Sequence, residues 1–294
     1  MKGLFTALIT PFQASGTGID KTILTQLIER QVEAKIDAII FGGSTGEGQT
    51  LTPSELEEIF SVAQSFRGKI KILGACGSHG TSQTIDQIRR LENLGVEGVL
   101  VSTPSYNKPP QRGLVEHFKR VAAATKLPLV IYNIPGRSSV NIAPSTLLEL
   151  WKIPNAVAVK ESSGNMEQIH QVAKELPPGK ILLSGDDPLN LPIWAIGGQG
   201  TVSVASNVAP KILHHIWTCW KEGREAEARE WDSRLQQYIP HLFTESNPIP
   251  AKWAVGQVLK TDLKLRLPLV SLDPVLTQSH MEALRAIRKL EENL

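Results

Sequence analysis

The sequence predicts a (β/α)₈ barrel followed by a C-terminal helical appendage. Three observations carry that expectation: eight short apolar runs, an amphipathic stretch after each, and no G-x-G-x-x-G after the first run. An open doubly wound sheet, the alternative for such a βα alternation, would usually place that phosphate-binding motif there. The chain has 294 residues, 41% of them hydrophobic, enough for a substantial core.

Taken in order, strands are expected over residues 4–10, 38–42, 70–74, 98–102, 129–133, 156–160, 181–184 and 200–204. Helices are expected to begin near Thr22, Thr52, Thr81, Gln111, Pro144, Asn165, Pro188 and Pro210. The second start is the most explicit, because Thr52-Pro53-Ser54-Glu55 supplies a cap, a proline at the first helical position and a first-turn carboxylate. After the eighth unit, residues 222–237, 250–260 and 274–292 read as helices without intervening strands. No Ser/Gly linker precedes them, so the expected division is a catalytic barrel over 1–222 and a helical segment over 223–294 packed on it.

Lys+Arg 31 against Asp+Glu 29 leaves a formal charge of +2 with no basic run, which removes the electrostatic footprint of a nucleic-acid binder. Cys76 and Cys219 match no C-x-x-C spacing and read as reduced, small apolar residues of a cytosolic protein. No apolar stretch is long enough to span a bilayer, and the N-terminus turns polar too soon for a signal peptide. A soluble, cytoplasmic protein is expected.

In such a barrel, chemistry sits on the loops that follow the strands. Lys160 stands out there: it closes the apolar run Ala156-Val157-Ala158-Val159, and an amine withdrawn from water favours the neutral form that attacks ketones. A lysine at a strand end also commonly reaches back to solvent, so the neighbours decide. Two of the three tyrosines, Tyr106 and Tyr132, fall on these loops. Gly42-Gly43-Ser44-Thr45-Gly46 exposes backbone N–H groups suited to a carboxylate or phosphate, or simply makes a tight turn. The same residues match G-x-S-x-G, a serine hydrolase elbow, although the helix starts too late for one. The histidines show no H-E-x-x-H-like spacing and are expected at the surface or at interfaces. Asp186-Asp187 reads as a capping pair before Pro188.

Gly43-Ser44-Thr45-Gly46-Glu47, Tyr132-Asn133-Ile134-Pro135-Gly136-Arg137, Lys160-Glu161, Ser184-Gly185-Asp186 and Asn247-Pro248-Ile249-Pro250 occur in this order. Through them the chain resembles the dihydrodipicolinate synthase and N-acetylneuraminate lyase family over nearly its whole length. The resemblance implies a class I aldolase-type barrel that joins or cleaves pyruvate through a lysine imine, without metal or organic cofactor. Gly136-Arg137-Ser138 favours the synthase branch, in which pyruvate condenses with L-aspartate 4-semialdehyde on the route to diaminopimelate and lysine.

The resemblance further implies that Lys160 forms the imine, and that Tyr132 relays protons with Ser44 and with a Tyr106 lent by a neighbouring subunit. Backbone amides at Ser44 and Thr45 would bind the pyruvate carboxylate, Arg137 that of the semialdehyde, while Gly185 and Val202 line the pocket. A homo-oligomer follows, either a dimer or a tetramer built as a dimer of dimers. Many synthases have threonine at the position of Ser44, and serine there is also found among the lyases. A lyase for sialic acid or a keto-deoxy sugar acid is therefore the rival of the same class; a Ser44 hydrolase or a non-catalytic barrel are rivals of other classes. Where feedback-inhibited members bind lysine, this chain has Gly48, Gln49, Pro53, Leu56, His79, Gln83 and Ser105, which predicts weak or absent inhibition.

Overall fold

The computed structural model describes all 294 residues. Eight parallel strands close into a barrel in sequence order: β1 Gly3–Ala7, β2 Ala38–Phe41, β3 Lys71–Cys76, β4 Val99–Ser102, β5 Leu129–Asn133, β6 Ala156–Glu161, β7 Ile181–Ser184 and β8 Gly200–Ser203. Between them run α1 Lys21–Glu33, α2 Pro53–Gln64, α3 Thr81–Asn93, α4 Gln111–Ala123, the single turn α5 Pro135–Ser138, α6 Pro144–Trp151, α7 Met166–Lys174 and α8 Asn190–Ala195. Beyond β8 lie α9 Pro210–Lys221, α10 Glu225–Gln236, α11 Ile249–Leu259 and α12 Thr277–Glu291. The barrel and the C-terminal helices are thus as expected. Strand β1 ends three residues early: beyond it, Ile9 N–H donates to Asn207 Oδ1 at 3.0 Å instead of to a neighbouring strand, and the Thr10 hydroxyl donates to the Gly46 carbonyl at 2.7 Å.

Residues 1–3 with 72–202 form one compact unit, and residues 4–71 with 203–294 another. In the first, β5 and β7 are buried along their whole length, as strands covered on both faces must be. Leu114, Phe118, Leu147, Leu150, Ile169 and Ile193 supply the buried faces of its helices. This is why the strand signal in the sequence is a continuous apolar run and the helix signal an amphipathic one.

In the second unit the capping box at Thr52 forms as expected: Thr52 Oγ1 accepts from Glu55 N–H, and Glu55 Oε2 accepts from Thr52 N–H. The loop after β2 is tied to the C-terminal helices by buried charge. Lys252 Nζ on α11 meets Glu47 Oε1 at 2.6 Å with both side chains out of water, 0% and 1% exposed. Glu47 Oε2 accepts from Arg266 N–H at 3.0 Å, and the Arg266 guanidinium pairs with Glu55. Burial pushes the Lys252 ammonium down to about 8 in spite of Glu47.

Removing one partner of such a pair strands a charge in a dry site. Lys252→Met is expected to destabilise the fold by about 3–5 kcal/mol, with Glu47→Gln added to it recovering part of the loss; urea unfolding of the three proteins measures both. Arg266 draws the Glu55 carboxyl down to about 2 from an ordinary 4.5. A carboxyl whose folded value is depressed stabilises above its unfolded value, and that contribution is lost as the pH falls from 4.5 through about 2.

Two histidines depart from the surface roles expected of them. His117 and His280 are buried: both ring nitrogens of His280 find polar partners inside, whereas His117 finds one for Nδ1 and none for Nε2. His117 Nδ1 lies 3.0 Å from Thr81 Oγ1, and burial pushes the imidazole down to about 4. His280 Nε2 lies 2.9 Å from the His241 carbonyl and Nδ1 2.8 Å from that of Leu276.

Candidate active site

Strands β5 and β6 pair in parallel with Tyr132 opposite Lys160. The register brings the two side chains together: Lys160 Nζ lies over the Tyr132 ring, 4.0 Å from its centroid, and the lysine is only 5% exposed. A buried amine against the face of a phenol ring is no snorkelling surface lysine.

Side chains alternate along a strand, so the residues that follow, Asn133 and Glu161, point to the opposite face. Both are buried, and Asn133 Nδ2 donates to Glu161 Oε1 and Oε2 at 3.1 and 3.0 Å. Glu161 Oε1 also accepts from Ser163 N–H at 2.7 Å, while Asn133 Oδ1 accepts from Ile142 N–H at 3.0 Å. Burial raises the Glu161 carboxyl, opposed by the hydrogen bonds from Ser163, Asn133 and Gln168. This clamp fixes the ends of both strands directly behind Tyr132 and Lys160.

Beside it, β7 leads into Gly185, whose N–H donates to the Glu161 carbonyl at 2.8 Å. A Cβ there would fall 2.0 Å from Ser162 Oγ and 2.7 Å from Lys160 Cγ. Only glycine leaves room for the lysine. Ser162 Oγ is itself buried without a partner in the chain. Asp186 caps no helix with its side chain, so the expected capping role fails. The Asp186 carboxyl is raised by burial and by Asp187, and lowered by Lys160. Asp187 is buried and accepts from Asn190 Nδ2 at 3.5 Å.

Arg137 lies exposed on α5, which opens at Pro135 and stops at Ser139 in the left-handed region, φ 59°. Val202 is buried in β8. Tyr106 is not among the buried groups: 85% exposed, with φ 70°, it stands on the turn after β4 with its ring 6.0 Å from that of His79.

In the other unit, Ser44 and Thr45 follow β2. Thr45 is buried, and its Oγ1 accepts from Asn247 Nδ2 at 2.9 Å. The turn closes tightly, with Gly48 N–H donating to the Gly43 carbonyl at 3.0 Å. A Cβ on Gly48 would come within 1.8 Å of the Gly42 carbonyl oxygen. A 3₁₀ turn at Gly48–Thr50 intervenes before α2 begins at Pro53, so Ser44 stands on no strand-to-helix elbow.

Residues 1–287 match the model of the dihydrodipicolinate synthetase family. The chain belongs to that family. A curated relative from Magnetococcus marinus, named 4-hydroxy-tetrahydrodipicolinate synthase, is 38% identical over 292 residues, 99% of each chain. Among solved structures, the 4-hydroxy-tetrahydrodipicolinate synthase of Methylacidiphilum fumariolicum SolV superposes with a TM-score of 0.94 at 39% identity, covering 98% of this chain and 96% of its own. A synthase from Cyanidioschyzon merolae, solved with lysine bound, gives 0.93 at 37% identity and 98% coverage of both.

Within this family member the sequence-predicted Lys160, Tyr132 and Gly185 come together. Asn133, Glu161 and Ser162 have no part in the roles expected from the sequence. Their signal is in the sequence: a polar residue directly after Tyr132 and after Lys160, Tyr-Asn and Lys-Glu, at the ends of two adjacent strands that are otherwise apolar.

Proposed function

We propose that this chain condenses pyruvate with L-aspartate 4-semialdehyde, the reaction of a 4-hydroxy-tetrahydrodipicolinate synthase, through an imine on Lys160. The buried Lys160 amine on the face of Tyr132 carries the reading. Lys160 Nζ adds to the pyruvate ketone, water leaves, and an iminium forms. Its positive charge draws electrons from the neighbouring C–H bond, so the methyl carbon loses a proton to give an enamine that attacks the aldehyde carbon. Tyr132 relays those protons with Ser44 and Tyr106. The backbone amides of Ser44 and Thr45 take the pyruvate carboxylate, Gly185 and Val202 line the pocket, and Arg137 takes the semialdehyde carboxylate.

The extreme exposure of Tyr106 in a left-handed backbone conformation supports its use by a neighbouring subunit. The proposed working form is accordingly a homo-oligomer, dimer or tetramer, in the cytoplasm. No helix is long and apolar enough to cross a membrane.

A coupled assay offering pyruvate with the semialdehyde, against sialic acid as a cleavable alternative, tests the reading; cleavage of sialic acid without condensation would replace it by the lyase. Arg137→Ala is expected to lower kcat/KM for the semialdehyde by about 10–100-fold, the worth of a charge-assisted hydrogen bond. Borohydride trapping of pyruvate by the same variant should persist, because the imine site is untouched.

Lysine inhibition is expected to be weak. Gln83 offers an amide oxygen to an incoming ammonium, and Ser78 Oγ already donates to it at 2.6 Å. His79 Nδ1 lies 3.1 Å from the Ser105 carbonyl and 3.2 Å from its hydroxyl. Neither Gln83 nor Ser105 supplies a charge to offset desolvation of the ligand. L-lysine titrated into the synthase assay should leave the rate nearly unchanged at sub-millimolar concentration; half-inhibition there would show a working lysine site.

A further inference from the structure

Helices α9 and α10 form a hairpin across the turn 222–224, and one side-chain cluster lies between them. His215 and Cys219 stand four residues apart on α9 and so share one face. Glu227 comes from the first turn of α10. His215 Nε2 lies 3.0 Å from Glu227 Oε1 and 3.4 Å from Cys219 Sγ. The three donor atoms all lie within 4.8 Å of one another.

We propose that His215, Cys219 and Glu227 form a three-ligand site for a divalent cation of the zinc class. Bonds of about 2.0–2.1 Å to nitrogen and oxygen and about 2.3 Å to sulfur place the ligand atoms of a tetrahedral centre roughly 3.3–3.6 Å apart. Two of the observed separations are 3.0 and 3.4 Å and the third is within 4.8 Å, so small side-chain rotations complete the site. Glu227 also hydrogen-bonds Cys219, so each of the three side chains touches the other two. A cation between the three atoms would satisfy all of them at once.

The surroundings suit the role. Arg224 Nη1 binds Glu227 Oε2 and leaves Oε1 turned towards His215. Arg224 also pairs with Glu222 at 2.7 Å, so its charge faces two carboxylates. The Trp231 ring packs edge-on against His215 with centroids 5.0 Å apart, fixing the imidazole plane. Cys219 is buried, while the His215 side chain is 25% exposed, leaving water a path to the fourth position. Sulfur and imidazole donors favour zinc or cobalt over magnesium or calcium, which take oxygen ligands. On binding, the Cys219 S–H bond breaks, the sulfur coordinates as thiolate and the proton passes to solvent. The cation would staple α9 to α10.

The full-length protein, freed of metal with a chelator and titrated with Co²⁺, provides the test. One equivalent should produce a sulfur-to-cobalt charge-transfer band in the near ultraviolet, and Zn²⁺ should displace it. Cys76→Ser should keep the band and Cys219→Ser should abolish it. Glu227→Gln, a change on the protein surface, should weaken Co²⁺ binding at least tenfold, since losing even an outer partner of a ligand costs about 10–100-fold. No band at one equivalent, a band that survives Cys219→Ser, or an affinity in Glu227→Gln within tenfold of the parent would each overturn the site. Should Cys219→Ser fail to fold, the Glu227→Gln affinity and the Cys76→Ser spectrum decide.

Discussion

Lys160→Arg is expected to abolish covalent capture of pyruvate and to lower turnover by at least ~10⁴-fold, the scale on which losing a covalent nucleophile falls. Arginine is of comparable length, but a guanidinium remains protonated and cannot add to a ketone. Pyruvate with borohydride should add mass irreversibly to the parent protein at Lys160, and peptide mapping of parent and variant reads both outcomes. Adduct on another lysine would sink the assignment. Lys252 is the informative competitor: it too is a buried amine, and burial lowers it to about 8. The two differ in their partners. Lys252 is consumed by the Glu47 carboxylate at 2.6 Å, whereas no carboxylate lies within salt-bridge distance of Lys160 and a phenol ring lies beneath it.

That contrast explains what the sequence could and could not reveal. Lys160 was legible because it terminates an apolar strand, and the barrel was legible because eight such runs each precede an amphipathic stretch. Lys252 was not, because it sits inside a helix, α11, that is apolar around most of its circumference. Its partner lies 205 residues away in the chain. The same distance effect hides the Arg266 pairing with Glu55, since nothing local marks a surface loop residue as a buried anchor.

The clamp behind Tyr132 and Lys160 is half visible in the sequence. Asn133 and Glu161 each stand in a motif that carries the family resemblance, but the contact between them depends on the β5–β6 register, which individual strand patterns leave open. His117 and His280 were misplaced for a related reason: an imidazole buries readily once an acceptor or donor waits inside, and Thr81 and the Leu276 and His241 carbonyls become visible only when the helices are packed. Tyr106 shows the converse. Its position after a strand pointed to the site, yet a single chain leaves its ring in solvent.

Tyr132→Phe is expected to lower kcat by roughly 10²-fold or more, within the usual range for a general acid–base group, while the fold and the pyruvate adduct survive. Phenylalanine keeps the ring on which the Lys160 amine rests and the register with β6 that places it, so only the phenol O–H is removed. If that hydroxyl moves protons between the carbinolamine and the enamine, imine formation and enamine attack must both slow, and borohydride capture should lose rate without losing its final extent. Replacing Tyr132 by Ala would confound the measurement, because it opens a cavity under the lysine as well. The pair of variants separates packing from proton transfer. Turnover unchanged in Tyr132→Phe would remove the phenol from the mechanism and leave Tyr132 as the platform that holds Lys160.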